Sequence, residues 1–193
     1  LELSLRGHEI IYVAEITLSD ERAKLGWKVP DLGKAKICLA KNYEEVKSII
    51  LDAPADSIHI CQGIRNNGVV SYAQKELRKK KLRQWVIMET VNNNGIFGFI
   101  KNILYRFLIK LYQKDIEIIL AIGWKTPNWL IQLGFEAKKV FPFTYFLSQN
   151  EIFLKNPKKK SNLFHFVFVG ELNLRKNFDL LILALSKIKD YPF

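Results

Sequence analysis

The feature that most constrains the fold is a repeated alternation of short, unbroken apolar runs with longer segments of helical spacing. Residues 9–14 (EIIYVA), 36–39 (KICL), 57–61 (SIHIC), 83–88 (RQWVIM), 117–123 (EIILAIG) and 139–143 (KVFPF) read as strands. Helical patterns fill 43–53, 67–82, 96–114 and 126–133. Strands that are apolar at successive positions leave neither face for water. Strands separated by helices return in the same direction. The pattern predicts an α/β domain, a parallel sheet with helices on both faces. Local signals agree with it. Gly7 stands where a helix would stop in a left-handed position. Asn42 precedes Glu44 and Glu45, a cap followed by charges suited to a helix N-terminus.

The character changes over 144–162, where SQNEIFLKNPKKKSN is polar, holds Pro157 and a lysine triplet, and shows no sustained period. It reads as an interdomain linker. FHFVFVG (164–170) then predicts a strand, and NFDLLILALSKIKD (177–190) a helix capped by Asn177 with Asp179 in its first turn. One strand and one helix cannot bury their own apolar faces. The expected organisation is an incomplete first domain at 1–143, a linker at 144–162, and the start of a second domain at 163–193. Met88 is the only methionine, so Leu1 is expected to lie inside a longer protein.

Composition narrows the function classes. An apolar fraction of 49% with 25% charged residues excludes wholesale disorder. The net charge of +11 is concentrated in two places: KELRKKKLR (75–83) carries +5 and KNPKKK (155–160) carries +4. Two patches on a near-neutral body argue against a surface built for a polyanion, and no specific nucleic acid is expected as partner. Cys38 and Cys61 lie singly in apolar runs and read as buried free thiols. His8, His59 and His165 are scattered, which leaves no metal-ligand spacing. His8 and His59 read as structural.

The most specific stretch is FVFVGELNLRKNFDLLILAL (166–185). Here a strand runs into Gly170, a loop holds Arg175 and Lys176, and a helix begins at Asn177. Ligands in open α/β sheets bind beyond the carboxyl ends of strands, and a helix N-terminus beside two cations suits a diphosphate. The stretch resembles the strand-loop-helix that opens the C-terminal domain of family 4 glycosyltransferases, retaining enzymes of the two-domain "GT-B" type. LRGHEIIYVAE (5–15) is similar to the end of that family's first helix and its second strand. IILAIGWKTPNWLIQLGFEAKKVFPFTYF (118–146) resembles the last part of the N-terminal domain in members that build bacterial surface polysaccharides.

The resemblance implies a Rossmann-like N-terminal domain lacking its first strand, followed by the opening of a second Rossmann-like domain. It implies a nucleotide-diphosphate sugar as donor substrate, no cofactor and no metal, and a glycan or lipid-linked acceptor held by the first domain. It places Lys176, next to the loop that starts at Gly170, at the donor diphosphate, with Arg175 as a substitute for the arginine the family carries after that glycine. Many members carry an arginine directly after the loop glycine, where this chain has Glu171. The family's paired-glutamate motif falls beyond these residues, so the chain alone is expected to be inactive.

At the carboxyl edge of the first sheet, the sequence would present Glu15, Gln62, Gly63, Glu89, Thr90 and the segment 123–125. Gln62, Gly63, Glu89 and Thr90 are acceptor-side candidates, and Glu89 is a candidate for proton handling. Many relatives carry a histidine after the strand corresponding to RQWVIM; here METVNNNG supplies Glu89 and Thr90.

Residues 96–114 are too short and too often charged for a membrane span, which needs about 20 mainly apolar residues. Phe97, Ile100, Ile103, Leu104, Phe107, Leu108 and Leu111 cover most of that helix, with Asn102, Arg106, Lys110, Gln113 and Lys114 on one side. Packing on the sheet accounts for much of this surface. Its width also fits docking on an anionic membrane surface, with Arg78, Lys79, Lys80, Lys81 and Arg83 as the cations. The location implied is cytoplasmic and peripheral at the inner face of the plasma membrane. Two other classes compete: a basic nucleic-acid-binding α/β module, and a dinucleotide-dependent oxidoreductase, for which no G-x-G-x-x-G follows any strand here.

Overall fold

The computed structural model describes residues 2–29, 31–65, 67–91, 95–145, 166–170, 172 and 176–188. The chain divides into two compact units, Leu1–Phe146 and Leu147–Phe193.

The first unit alternates helix and strand: α1 (Glu2–Leu5), β1 (Ile11–Ala14), α2 (Asp20–Lys24), β2 (Lys36–Leu39), α3 (Tyr43–Asp52) and β3 (His59–Gln62). It continues through α4 (Val69–Lys80), β4 (Gln84–Glu89), α5 (Gly95–Tyr112), β5 (Ile118–Ile122), α6 (Thr126–Gln132) and β6 (Val140–Phe143). Every strand pairing is parallel. The unit is an α/β domain with a four-stranded parallel sheet flanked by helices, compatible with a Rossmann-like fold.

The caps explain the boundaries. After α1, the His8 N–H reaches the Leu3 carbonyl at 3.1 Å and the Gly7 N–H the Ser4 carbonyl at 3.2 Å, with Gly7 at φ +87°. This paired closure needs a residue without Cβ strain, as the sequence predicts. At α3, Asn42 Oδ1 accepts from the Glu45 N–H at 3.0 Å, while Glu45 accepts from the Lys41 N–H at 2.8 Å. Glu45 thereby satisfies a backbone donor that would otherwise face water.

The sequence predicts one sheet for this unit; the structure has two, β1-β2 and β3-β4-β5-β6. The chain passes from β2 through α3 to β3 without pairing them. The two carboxyl ends are nevertheless neighbours, because a Cβ on Gly68 would lie 3.2 Å from Glu15 Oε2.

The core lies on one face of the larger sheet. Cys61, Val86, Ile119 and Val140 share a ladder row and are buried. Tyr105 and Ile109 of α5, Trp129 and Leu130 of α6, and Leu133 just after it cover the Val86–Ile119–Val140 part. Leu77 of α4, with Val46 and Ile50 of α3, covers Cys61. Each aliphatic side chain removed from water there contributes about 1.5–3 kcal/mol. On the opposite face, Ile60, Trp85, Ile87, Ile118, Leu120 and Phe141 are only half-buried or exposed. The described helices that bury this sheet, α3, α4, α5 and α6, therefore do so on one face, where the sequence predicts both.

In the second unit, α7 spans Phe178–Lys187. Residues 166–169 form no strand, contrary to the sequence expectation, and positions 164 and 165 lie outside the described residues. A strand is defined by a ladder, and no described segment pairs with this one. The expected Asn177 cap is also corrected. Asn177 is left-handed at φ 52° and its side chain makes no capping bond. Phe168 instead packs on Phe178, ring centroids 4.8 Å apart.

Candidate functional site

The carboxyl edge of the four-stranded sheet gathers most of the acceptor-side candidates. Glu89 ends β4 in register with Ile122 of β5, which is in register with Phe143 of β6. The chain beyond β6 brings Tyr145 back over β4, where its O–H donates to Glu89 Oε1. Both side chains are exposed, and the hydrogen bond to Glu89 pushes the Tyr145 phenol above its ordinary pKa. The phenol is the donor of this bond and holds its proton near neutral pH. A carboxylate so oriented can accept a proton or hydrogen bond from a hydroxyl brought to this edge.

Thr90 follows and is locked from behind. Its N–H donates to Thr126 Oγ1 at 3.1 Å, and the two hydroxyl oxygens are 2.7 Å apart. Thr126 directs its single proton to the Ile122 carbonyl, so Thr90 must be the donor between the two hydroxyls. Thr90 therefore braces β4 against the start of α6. Gly63 is similarly occupied: its N–H meets the Ile87 carbonyl at 2.9 Å and its carbonyl accepts from Gln74 Nε2 at 2.7 Å. At φ +74° it makes the turn from β3 toward α4. The Gln62 side chain is exposed, while its carbonyl accepts from Asn67 Nδ2 at 2.9 Å. Of the four candidates, Glu89 and Gln62 offer side chains to solvent, and Gly63 and Thr90 position the edge.

Sequence reasoning missed Tyr145 and Thr126. Thr126 carried a readable signal, a hydroxyl residue at the first helical position followed by Pro127. Tyr145 carried none, since its contact spans 56 positions of chain.

The basic candidates separate into two groups. Arg83 makes a two-pronged pair with Glu117, Nε to Oε2 and Nη2 to Oε1 both at 3.0 Å. Trp85 Nε1 donates to the same carboxylate at 3.1 Å. These bonds hold the Glu117 carboxyl below its usual range and tie Arg83 to the start of β5. Arg78 lies elsewhere, its guanidinium 4.3 Å from the Tyr112 ring centroid, which sets the end of α4 beside the end of α5. Lys79, Lys80 and Lys81 are exposed around it, Lys81 closing α4 in a left-handed conformation at φ 54°.

Of the donor-side candidates, Gly170 and Lys176 are neighbours. A Cβ on Gly170 would lie 3.7 Å from Lys176 Cε, and α7 begins two residues after Lys176. Arg175, like Glu171, lies outside the described residues. Among the described residues no group of three or more His, Cys, Asp or Glu side chains is placed to hold a metal ion. No helix among them is long and apolar enough to cross a membrane.

The chain matches no protein-family model, no curated protein and no solved structure.

Proposed function

We propose that this chain is the larger part of the acceptor-side domain, and the opening of the donor-side domain, of a retaining glycosyltransferase. The complete enzyme would transfer a sugar from a nucleotide-diphosphate donor to a glycan or lipid-linked acceptor in surface-polysaccharide synthesis. It would work in the cytoplasm at the membrane's inner face. The observation that carries this reading is the sequence 166–185, in which an apolar run, Gly170, the Arg175–Lys176 pair and the residues of α7 follow in the family's order. The closeness of Lys176 to Gly170 supports it, because a lysine folded over a loop glycine can meet a diphosphate approaching that backbone. In this reading Lys176 and Arg175 stabilise the charge that develops on the leaving diphosphate. Glu89, with Tyr145 holding its orientation, receives the acceptor hydroxyl.

The test uses the complete polypeptide carrying this sequence, supplied with a panel of nucleotide-diphosphate sugars. Expected are release of the nucleoside diphosphate and retained anomeric configuration. Lys176→Ala should lose about 2–4 kcal/mol of transition-state stabilisation. Unchanged turnover at subsaturating donor would remove Lys176 from the site. Failure to consume any donor would overturn the reading.

A further inference from the structure

The outward face of α5 is apolar. Ile96, Ile100, Ile103, Phe107 and Leu111 recur at spacings of four and three along a stripe of about 22 Å. They are 80%, 55%, 54%, 64% and 51% exposed, and Phe97 at the same end is 79% exposed. The sheet-facing side is a different line, Gly98, Tyr105 and Ile109. Packing on the sheet therefore does not account for the stripe.

Beside it, between α4 and α5, opens a cleft of ≈ 330 Å³. Its polar wall is Arg65, Ser71, Gln74 and Arg78; its apolar wall is Leu104, Leu108 and Tyr112 of α5. Ser71 Oγ accepts from the Asn67 N–H at 3.0 Å, a bond that does not use its own proton. Two guanidinium groups and a hydroxyl are the donors a phosphate takes. No acidic side chain lines the cleft, and the Glu15 carboxylate lies at its nearer end beside Gly68. α5 contains no acidic residue, and Glu76, the one acid of α4, is turned to α3, where Tyr43 donates to it at 2.5 Å. Lys101, Arg106 and Lys110 of α5 add further cations.

We infer that α4 and α5 form a docking site for an anionic phospholipid. The headgroup phosphate would enter the Arg65–Arg78 cleft, and the Ile96–Leu111 stripe would lie in the acyl boundary of the bilayer. A helix with one apolar side and flanking cations, lying in the plane of the interface, binds by apolar burial and attraction to anionic lipid together. A protein partner covering the same stripe would not require the phosphate-donor set next to it. The inference rests on the membrane location in the proposed function, and not on the glycosyl-transfer chemistry, which the donor assay tests separately.

The test is co-sedimentation of the full chain with vesicles of phosphatidylcholine alone or with phosphatidylglycerol. Binding should appear only with the anionic lipid. Each cation near such a surface is worth about a fivefold change in partition, so Arg65→Gln/Arg78→Gln should weaken binding roughly 25-fold. Lys24→Gln/Lys28→Gln, equal in charge but on α2 and beyond, should leave it nearly unchanged. Ile103→Ser/Phe107→Ser should abolish it; both sites are exposed, and far-ultraviolet circular dichroism checks that the fold persists. Competition by a short-chain phosphatidic acid but not by inorganic phosphate would place the lipid, rather than free phosphate, in the cleft. Equal sedimentation with neutral and anionic vesicles, or with neither, overturns the inference. So does equal loss by the two charge-matched doubles, or competition by inorganic phosphate alone. Oligomers dispersed by Ile103→Ser/Phe107→Ser without vesicle binding would assign the stripe to a second copy, and also overturn it.

Discussion

Thiol chemistry distinguishes the two cysteines. Cys61 is buried beneath α4, and burial pushes its thiol from an ordinary 9.0 to about 12. Cys38, on β2, is half-buried. A disulfide reagent at neutral pH should modify Cys38 and spare Cys61 until the chain unfolds; two equally fast thiols in the native protein would contradict the burial. The sign of the pH effect follows. Because the folded value is raised, the stability linked to Cys61 is full below the ordinary thiol pKa. It is lost as pH climbs from there toward about 12, since the unfolded thiol ionises first. The sequence reads both cysteines as buried free thiols; both are free, but only Cys61 is buried, and Cys38 is half-buried. That they would be unbridged was legible from their flanking residues. Which of them would be sealed was not, because the cover over Cys61 comes from Leu77, sixteen positions away.

Among the elements, α3 shows how much short-range chemistry decides. Asn42 caps it through the Glu45 N–H, and Glu45 returns to Lys41. Asn42→Ala should lower stability by about 1 kcal/mol, measured as a shift in the denaturant midpoint; a change near zero would mean that tertiary packing alone holds the helix start. Sequence signals placed α3, α4, α5, α6 and all six strands of the first unit to within a residue or two. α2 was missed although Ser19 accepts from the Arg22 N–H at 3.4 Å, because five residues give no visible period. Orientation was the larger gap. Periodicity identified α5 as broadly apolar but could not say that Gly98, Tyr105 and Ile109 would face the sheet and leave Phe107 outside. The candidate site shows the same limit. Glu89 and Thr90 were found from their place at a strand end, whereas their partners Tyr145 and Thr126 are joined to them only through the completed sheet.

At the scale of the whole molecule, the described strands split into two sheets with four edges, where one sheet of six would have two. Among the described residues, β1 is paired only with β2, and β3 only with β4. Tyr12, Val13 and Ile60 stand exposed beside those inner edges. Unpaired backbone donors and acceptors next to apolar side chains recruit other strands. The consequence concerns colloidal behaviour rather than catalysis: dilute chain should sediment as a monomer, and mass should grow with concentration by edge-to-edge addition. Tyr12→Lys/Ile60→Lys, which sets a charge beside each inner edge, should hold the weight-average mass flat over the same range. An unmodified chain that stayed monomeric at every concentration would show that these edges are closed in solution. If they do associate, any vesicle or donor titration has to be run where the monomer dominates, because an assembled edge would change the amount of free chain at each point.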